Sequence, residues 1–298
     1  MAGSFGLVPF STIGYTVKRE NSLEGTNAKY NSVFKGSGGV SQIYFSNAFK
    51  IGKHLSLGVN SSYLFGPLTQ EENIVQTELV PQIQIVRQDF MKSFYFDFGL
   101  QYSVKFKKTE FSAGAVYSPR QNLESMHIIN VYDASYTLIR GETYDTDYLV
   151  MPESYGLGLG IRKTDRLQIL FDYNFQKWSD AEYPNQKDQF EDLHRVSLGS
   201  EFKPWESRVM NRWYQNWTYR VGVNYQMSYL KIGNELIDDK SISFGAGIPL
   251  PGKISNFDWS IRMGQNGTKA GGLARENYGL FQIGFSLNEL AFIKRKFD

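Results

Sequence analysis

The sequence predicts an all-β protein, an antiparallel transmembrane β-barrel. Apolar and polar residues alternate with period two along most of the chain, and many of the alternating segments are long enough to cross a bilayer. The composition agrees, because 22 Phe, 19 Tyr and 5 Trp occur in a chain whose mean hydropathy is only −0.38. Aromatic girdles around a polar interior give this mixture.

The alternation identifies individual strands. Between Phe94 and Phe106 the even positions are all apolar or aromatic, and the odd positions are mainly polar or small. The segment from Arg166 to Gln176 repeats this pattern, and only Leu170 breaks it. About twelve such strands are predicted, several with ten or more residues, and roughly 9–11 residues suffice for a tilted transmembrane strand. A soluble β-sandwich also alternates and is the alternative interpretation.

The connections alternate between short and long, as in outer-membrane barrels with short periplasmic turns and long external loops. Short turns are predicted at 52–54, 107–109, 163–165 and 250–253. Long polar connections are predicted at about 18–28, 66–90, 132–146, 178–190, 228–240 and 265–276. We therefore expect one barrel domain over residues 1–298, in the bacterial outer membrane and surrounded by membrane lipids.

Several other classes are disfavoured. The formal net charge is +2 without basic clusters, so no nucleic-acid partner is expected. No run of about 18 apolar residues is present, which argues against helical spans. His54, His127 and His194 have no metal-ligand spacing, and no metal or cofactor is expected. A rim enzyme would need a Ser/His/Asp site; His127 near Ser125 is the only local resemblance, so an enzyme is not expected.

Charged residues on the polar faces are the candidate site. A charge in the bilayer zone is costly unless it meets water or a partner, so these side chains are expected to face the lumen. The candidates for ligand binding are Arg162, Asp172, Arg220 and Arg262. They either form a salt-bridged network that fills the barrel, or line a path and contact an anionic group such as a carboxylate.

Specific strings resemble the FadL-like outer-membrane transporters of long-chain fatty acids and other hydrophobic compounds. They are Gly3–Gly6, Met151–Gly158, Thr164–Leu167, Asp172–Tyr173, Trp178–Ser179, Tyr219–Gly222 and Ser243–Pro249. The resemblance implies a fourteen-stranded barrel whose N-terminal hatch plugs the lumen and whose ligand leaves sideways into the membrane. The first string already belongs to the family's barrel, and the start of the sequence has no signal peptide. The hatch and about two strands are therefore expected upstream.

Two functions remain open. A passive transporter of fatty acids or other hydrophobic small molecules predicts a continuous apolar pocket inside the polar lumen. A barrel subunit that holds secreted or surface-anchored proteins predicts a filled lumen and protein partners at the external loops.

Overall fold

The computed structural model describes residues 1–22, 25, 27, 29–75, 81–164, 166–181, 190–204, 213–232, 235–250 and 255–286. The chain folds into one antiparallel sheet of fourteen strands. The strands are β1 (Ala2–Ser22), β2 (Lys29–Ile51), β3 (Leu55–Ile74), β4 (Ile83–Phe106), β5 (Thr109–Ser118), β6 (Gln121–Tyr132), β7 (Leu138–Met151), β8 (Ser154–Lys163), β9 (Leu167–Gln176), β10 (Leu193–Phe202), β11 (Thr218–Ile232), β12 (Glu235–Pro249), β13 (Asn256–Gly267) and β14 (Arg275–Ser286). The described helices are three short 3₁₀ segments, at Trp178–Asp180, Trp213–Asn216 and Ala270–Gly272. None of them has the length and apolarity to span a membrane.

The fourteen strands occupy twelve consecutive positions in the sheet. β5 pairs with the second half of β4 and β6 pairs with its first half, so β5 and β6 form one long strand interrupted at Pro119. In the same way β8 pairs with β5, and β7 pairs with β6, with Pro152 at the interruption. Proline lacks the N–H that a ladder needs. The predicted number of about twelve strands is therefore confirmed, with two of them split.

β1 and β14 are the two ends of this ladder. β1 pairs with β2 and β14 pairs with β13, and no backbone pair joins β1 to β14 among the described residues. β1 and β14 run in opposite directions. An even number of further strands between them, or none, would preserve the antiparallel order.

The sheet has one apolar outer face and one largely polar inner face. Phe94, Phe96 and Phe98 of β4 are 41–65% exposed on the outer face, as the alternation predicts. The inner face is concave. Phe10 on β1 touches Tyr95 on β4, with ring centroids 5.6 Å apart, and this contact across β2 and β3 requires the sheet to curve. The outer face is the one that fits lipid.

A row of rings crosses the outer face at one end of β5, β8, β9 and β10. Tyr117 contacts Tyr155 at 5.1 Å between ring centroids, Tyr155 contacts Phe175 at 6.3 Å, and Phe175 contacts His194 at 5.0 Å. Successive members of the row are cross-strand neighbours. This row is an aromatic belt of the kind that outer-membrane barrels have at a membrane interface. The row lies at the end of β5 opposite the short connection between β4 and β5. We call this end external, because short turns are expected on the periplasmic side.

The short turns are as predicted where the structure describes them. Gly52, Lys107 and Thr164 have positive φ angles of 65°, 54° and 47°, typical of tight hairpin connections. Asp165 and residues 251–254 lie outside the described residues.

Some predicted long loops are wrong, because they are largely strand. β3 continues to Ile74 and β4 begins at Ile83, so most of 66–90 belongs to the ladder. β7 begins at Leu138 and leaves a short connection after β6. Polar residues outside a membrane can continue a backbone ladder, and polarity alone does not show where the hydrogen bonds stop. The long strands extend well beyond the aromatic belt.

Candidate lumen site

Arg220 is the centre of a charge network on the inner face of β10 to β13. Its Nε donates to Glu201 Oε2 at 2.8 Å and its Nη1 donates to Asp258 Oδ1 at 2.7 Å. Gly247 on β12 leaves room for this reach, since a Cβ there would lie 3.4 Å from Arg220 Nη2. The three charged side chains are 30–46% exposed, so water screens the pairs and each contributes about 1 kcal/mol or less.

Arg262 borders the same part of the lumen without such pairing. It lies on β13, and with Arg220 it lines a cavity of about 410 Å³ whose walls include Gly222, Gly245 and Ser260. Within the described ranges, no carboxylate lies within salt-bridge distance of the Arg262 guanidinium. A cation in a water-accessible cavity without a partner of its own is able to bind an anion.

The other two predicted site residues lie elsewhere. Arg162 donates from Nη2 to Gln168 Oε1 at 3.1 Å, beside the turn that joins β8 to β9. Asp172 on β9 borders a separate cavity of about 410 Å³, together with Leu170 and several glycines. Leu170 thus breaks the alternation because it lines the lumen. The structure brings Arg220 and Arg262 together and leaves Arg162 and Asp172 apart from them.

An apolar cluster occupies the inner face of β2, β3, β4 and β6. Its buried members are Val40, Leu64, Met91, Tyr95 and Leu123, and Phe10, Leu68, Leu149 and Met151 pack against them. Leu64 is fully buried. We call these nine residues the apolar cluster. It is an exception within an inner face that is otherwise polar.

A kink in three neighbouring strands brings the cluster together. The β1–β2 register shifts between Pro9 and Ser11, at the level of Gly39 and Gly66 in β2 and β3. A Cβ on Gly66, whose φ is +146°, would lie 2.3 Å from the Gly39 carbonyl oxygen. Only glycine allows this close backbone approach. The bulge places Phe10 over the inner face, where it meets Tyr95.

A hydrogen-bond network lies next to the cluster, towards the periplasmic end. Asn60 Nδ2 donates to Asp97 Oδ2 at 3.0 Å and to Ser62 Oγ at 3.1 Å. Ser118 Oγ donates to Asp97 Oδ1 at 2.5 Å, and Ser46 Oγ donates to Asn60 Oδ1 at 2.6 Å. We call these five residues the Asp97 network.

Asp97, Asn60 and Ser46 of this network line one wall of the largest of these lumen cavities, about 590 Å³ in volume. Small side chains make the room; the lining residues on the inner face include Ala2, Ser4, Ala48, Gly58 and Gly99. The cavity and the apolar cluster are neighbours at β4, where Tyr95 belongs to the cluster and Asp97 to the cavity wall. A small apolar molecule in the cavity therefore lies beside the buried cluster, although none of the nine cluster residues lines the cavity itself.

His127 has a different partner from the one that the sequence suggests. Its Nδ1 lies 2.5 Å from Asp89 Oδ1, across the β4–β6 ladder. Both side chains are mostly buried. The pair joins two long strands above the apolar cluster and provides a polar boundary on its external side.

The family is decided by a sequence comparison. A family model described as BamG matches residues 1–298. The chain belongs to the BamG family. This name differs from that of the FadL-like family which the sequence strings resemble. A search of curated proteins finds no match.

Two solved structures are similar to this chain. A monoaromatic hydrocarbon channel, CymD, aligns with a TM-score of 0.50 and 16% identity over 89% of this chain and 84% of its own. The toluene transporter TodX of Pseudomonas putida aligns with a TM-score of 0.46 and 13% identity over 88% of this chain and 81% of its own. The likeness to CymD shows a shared fold, and the FadL-like fold is thereby supported.

Sequence reasoning missed the apolar cluster and the Asp97 network. Val40, Leu64 and Met91 are separated by more than twenty residues along the chain, and only the register of β2 to β4 brings them together. One signal was available. Gly38-Gly39 and Gly66-Pro67 interrupt two strand patterns, and glycine or proline inside a strand often marks a bulge or bend.

Proposed function

We propose that the chain is an outer-membrane channel through which hydrophobic small molecules cross passively, without covalent chemistry. The observation that carries the proposal is the apolar cluster beside a cavity of about 590 Å³ on the inner face. Burying apolar surface inside a polar lumen gives a hydrophobic molecule a favourable environment, at roughly 25 cal/mol per Å² of apolar surface removed from water.

The outer face supports the membrane location. Its exposed apolar side chains alternate with inner polar ones along most strands, and β8, β9 and β10 each have ten residues, the length of a tilted transmembrane strand. The chain shares its fold with CymD, which is named a monoaromatic hydrocarbon channel, and this likeness supports the proposed role. At 16% identity, the ligand must be inferred from this chain's own residues.

The kinked part of β1 to β3 suggests how the ligand leaves. The ladder between β2 and β3 is interrupted between Gly38 and Ser41, and the apolar cluster lies against this stretch. A hydrophobic molecule in the cavity beside the cluster is therefore close to a strand pair that has fewer hydrogen bonds and faces the surrounding lipid. We propose that the ligand passes sideways into the membrane here.

Arg262 fits the headgroup of a fatty acid. Its guanidinium has no carboxylate partner among the described residues and faces a cavity of about 410 Å³. Arg220 in the same cavity is already balanced by Glu201 and Asp258. Of the two arginines, Arg262 is the one whose charge is available to a ligand carboxylate.

The test is binding of a labelled long-chain fatty acid to the purified protein. We expect saturable binding, and Arg262→Ala should weaken it about ten-fold, because a hydrogen bond to a charged group contributes about 1.5–3 kcal/mol and 1.4 kcal/mol is a factor of ten. Arg162→Ala is the matched control, since Arg162 lies at the β8–β9 turn, and it should leave the affinity unchanged. Equal affinities for wild type and Arg262→Ala would rule out the headgroup site.

A specific observation favours a second function, the holding of partner proteins. The β6–β7 hairpin extends beyond the aromatic belt, and its tip is ordered by Asp133, whose Oδ1 accepts the backbone N–H groups of Ser135 and Thr137 at 2.8 Å. Tyr136 and Leu138 stand 74% and 53% exposed there. If this tip holds a partner, the double change Tyr136→Ser and Leu138→Ser should abolish co-purification of that partner and leave uptake of hydrophobic compounds intact.

A further inference from the structure

The structure assigns to the 590 Å³ cavity beside Asp97 a ligand class narrower than hydrophobic molecules in general: small apolar molecules that carry a hydroxyl group. The inference deepens the proposed function and rests on it for the path by which the ligand arrives. This cavity lies on a different wall of the lumen from Arg262. Its wall carries the carboxylate of Asp97, whereas the other wall carries the Arg262 guanidinium.

The first step is the hydrogen-bond inventory of the Asp97 network. Both amide hydrogens of Asn60 are donated, one to Asp97 and one to Ser62. The hydroxyl of Ser118 is donated to Asp97, and that of Ser46 is donated to Asn60. The side-chain donors of Asn60, Ser46 and Ser118 are thus in use inside the network. Ser4, which lies outside the network, adds a hydroxyl group to the same cavity.

The second step is the acceptor side of the same inventory. An ionised carboxylate has about four lone-pair sites and no donor. Asp97 receives one hydrogen bond on each oxygen from this network, which leaves acceptor capacity on both. At Asp97 the wall therefore offers acceptors and negative charge, so this position can receive a donor and repels an anion.

The third step is the shape and polarity of the remainder of the cavity. Apart from Ser4, the other lining residues on the inner face are Ala2, Ala48, Gly58 and Gly99, which have small apolar side chains or none. The apolar cluster begins at Tyr95, two residues from Asp97 on the same face of β4. A ligand that fits has an apolar body towards the small residues and one hydroxyl hydrogen directed to Asp97.

Three probes of similar size separate the possibilities: benzyl alcohol, toluene and benzoate. Binding of each to the purified full-length protein is measured at neutral pH, where benzoate is an anion. We expect benzyl alcohol to bind about ten-fold more tightly than toluene, since it adds a hydrogen bond to a charged acceptor. We expect benzoate to bind more weakly than either in this cavity. The Arg262→Ala background removes the competing anion site.

Asp97→Asn is the decisive variant, because the amide keeps the size of the carboxylate, removes its charge and adds a donor. The ratio of benzoate to benzyl alcohol affinity should move at least ten-fold towards benzoate. Glu110→Gln is the matched control. It removes a carboxylate from the inner face of the adjacent β5, opposite Arg162, and Glu110 does not border the cavity. Glu110→Gln should leave the ratio of benzoate to benzyl alcohol affinity as it is in the Arg262→Ala background protein.

The outcomes distinguish this inference from the proposed function. Binding of toluene and benzyl alcohol with equal affinity, or benzoate binding as tightly as benzyl alcohol, would overturn the hydroxyl selectivity and leave the channel proposal standing. No binding of toluene or benzyl alcohol would overturn both. If Asp97→Asn does not fold, the three affinities of the background protein decide the question alone.

Discussion

At the scale of single residues, the inner face combines charge and apolar packing in separate places. Leu64 is fully buried inside a lumen whose other wall carries Arg220 paired with Glu201 and Asp258. The apolar residues therefore act as a small core, and losing one of them should cost as much as in a soluble core.

Leu64→Ala should destabilise the protein by about 2–4 kcal/mol, because it removes buried methyl groups and leaves a cavity. The matched control is Leu57→Ala on the same strand, where the side chain is 41% exposed on the outer face. Denaturant unfolding in the same detergent measures both. An equal effect of the two substitutions would show that the cluster is not a core.

Much of the residue-level placement was predictable, and the pairing was not. Alternation alone places Arg162, Asp172, Arg220 and Arg262 on the face opposite the aromatic stripe. Glu201 and Asp258 come to Arg220 from β10 and β13, one strand and two strands away. Alternation assigns a face to each residue and carries no information on register, so these partners could not be predicted.

At the scale of elements, the kink of β1 to β3 positions the apolar cluster. Pro9 at the β1 bulge, Gly39 in β2 and Gly66 in β3 lie at one level of the sheet. A bulge bends a strand locally, and here three neighbouring strands bend together. Gly66 has a positive φ, and the carbonyl oxygen of Gly39 lies close to the position that a Cβ on Gly66 would occupy.

Gly66→Ala should therefore destabilise the protein by about 2 kcal/mol, through a strained backbone conformation and a steric clash. Gly14→Ala is the matched control in β1, since a Cβ there meets no atom within 4 Å. Thermal or denaturant unfolding of the two variants checks this. A smaller loss for Gly66→Ala than for Gly14→Ala would contradict the role of the kink.

The elements also show where polarity misleads. The stretch 66–90 has the polar composition of a loop, but β3 and β4 pair through most of it. Backbone hydrogen bonds hold these long strands together, and they do not depend on the polarity of the side chains. The pairing of β3 and β4 therefore continues into a stretch of polar residues. Turns at Gly52 and Lys107 were predictable, because tight hairpins require few residues and favour particular backbone angles.

At the scale of the whole molecule, the predicted class and strand number are confirmed. Twelve positions of an antiparallel sheet, an exposed apolar outer face and a polar inner face follow from the period-two pattern. The pattern could not show whether the ladder closes, because closure depends on what pairs with β1 and β14. In hydrocarbon each unpaired backbone group costs several kcal/mol, so both edges require a strand partner in a membrane.

The central claim is that hydrophobic molecules pass along the inner face of this barrel. It is tested most directly by uptake of labelled toluene into intact host cells that lack such a channel of their own and express this protein. Gly99→Trp should block the cavity, since Gly99 lies on its wall with no atom closer than 4.0 Å to a Cβ. Phe96→Trp on the outer face of the same strand is the control. We expect wild type and Phe96→Trp to raise the uptake rate, and Gly99→Trp to return it to that of cells without the protein. Uptake that is independent of expression, or equal for Gly99→Trp and wild type at equal amounts in the membrane, would contradict a channel through this lumen.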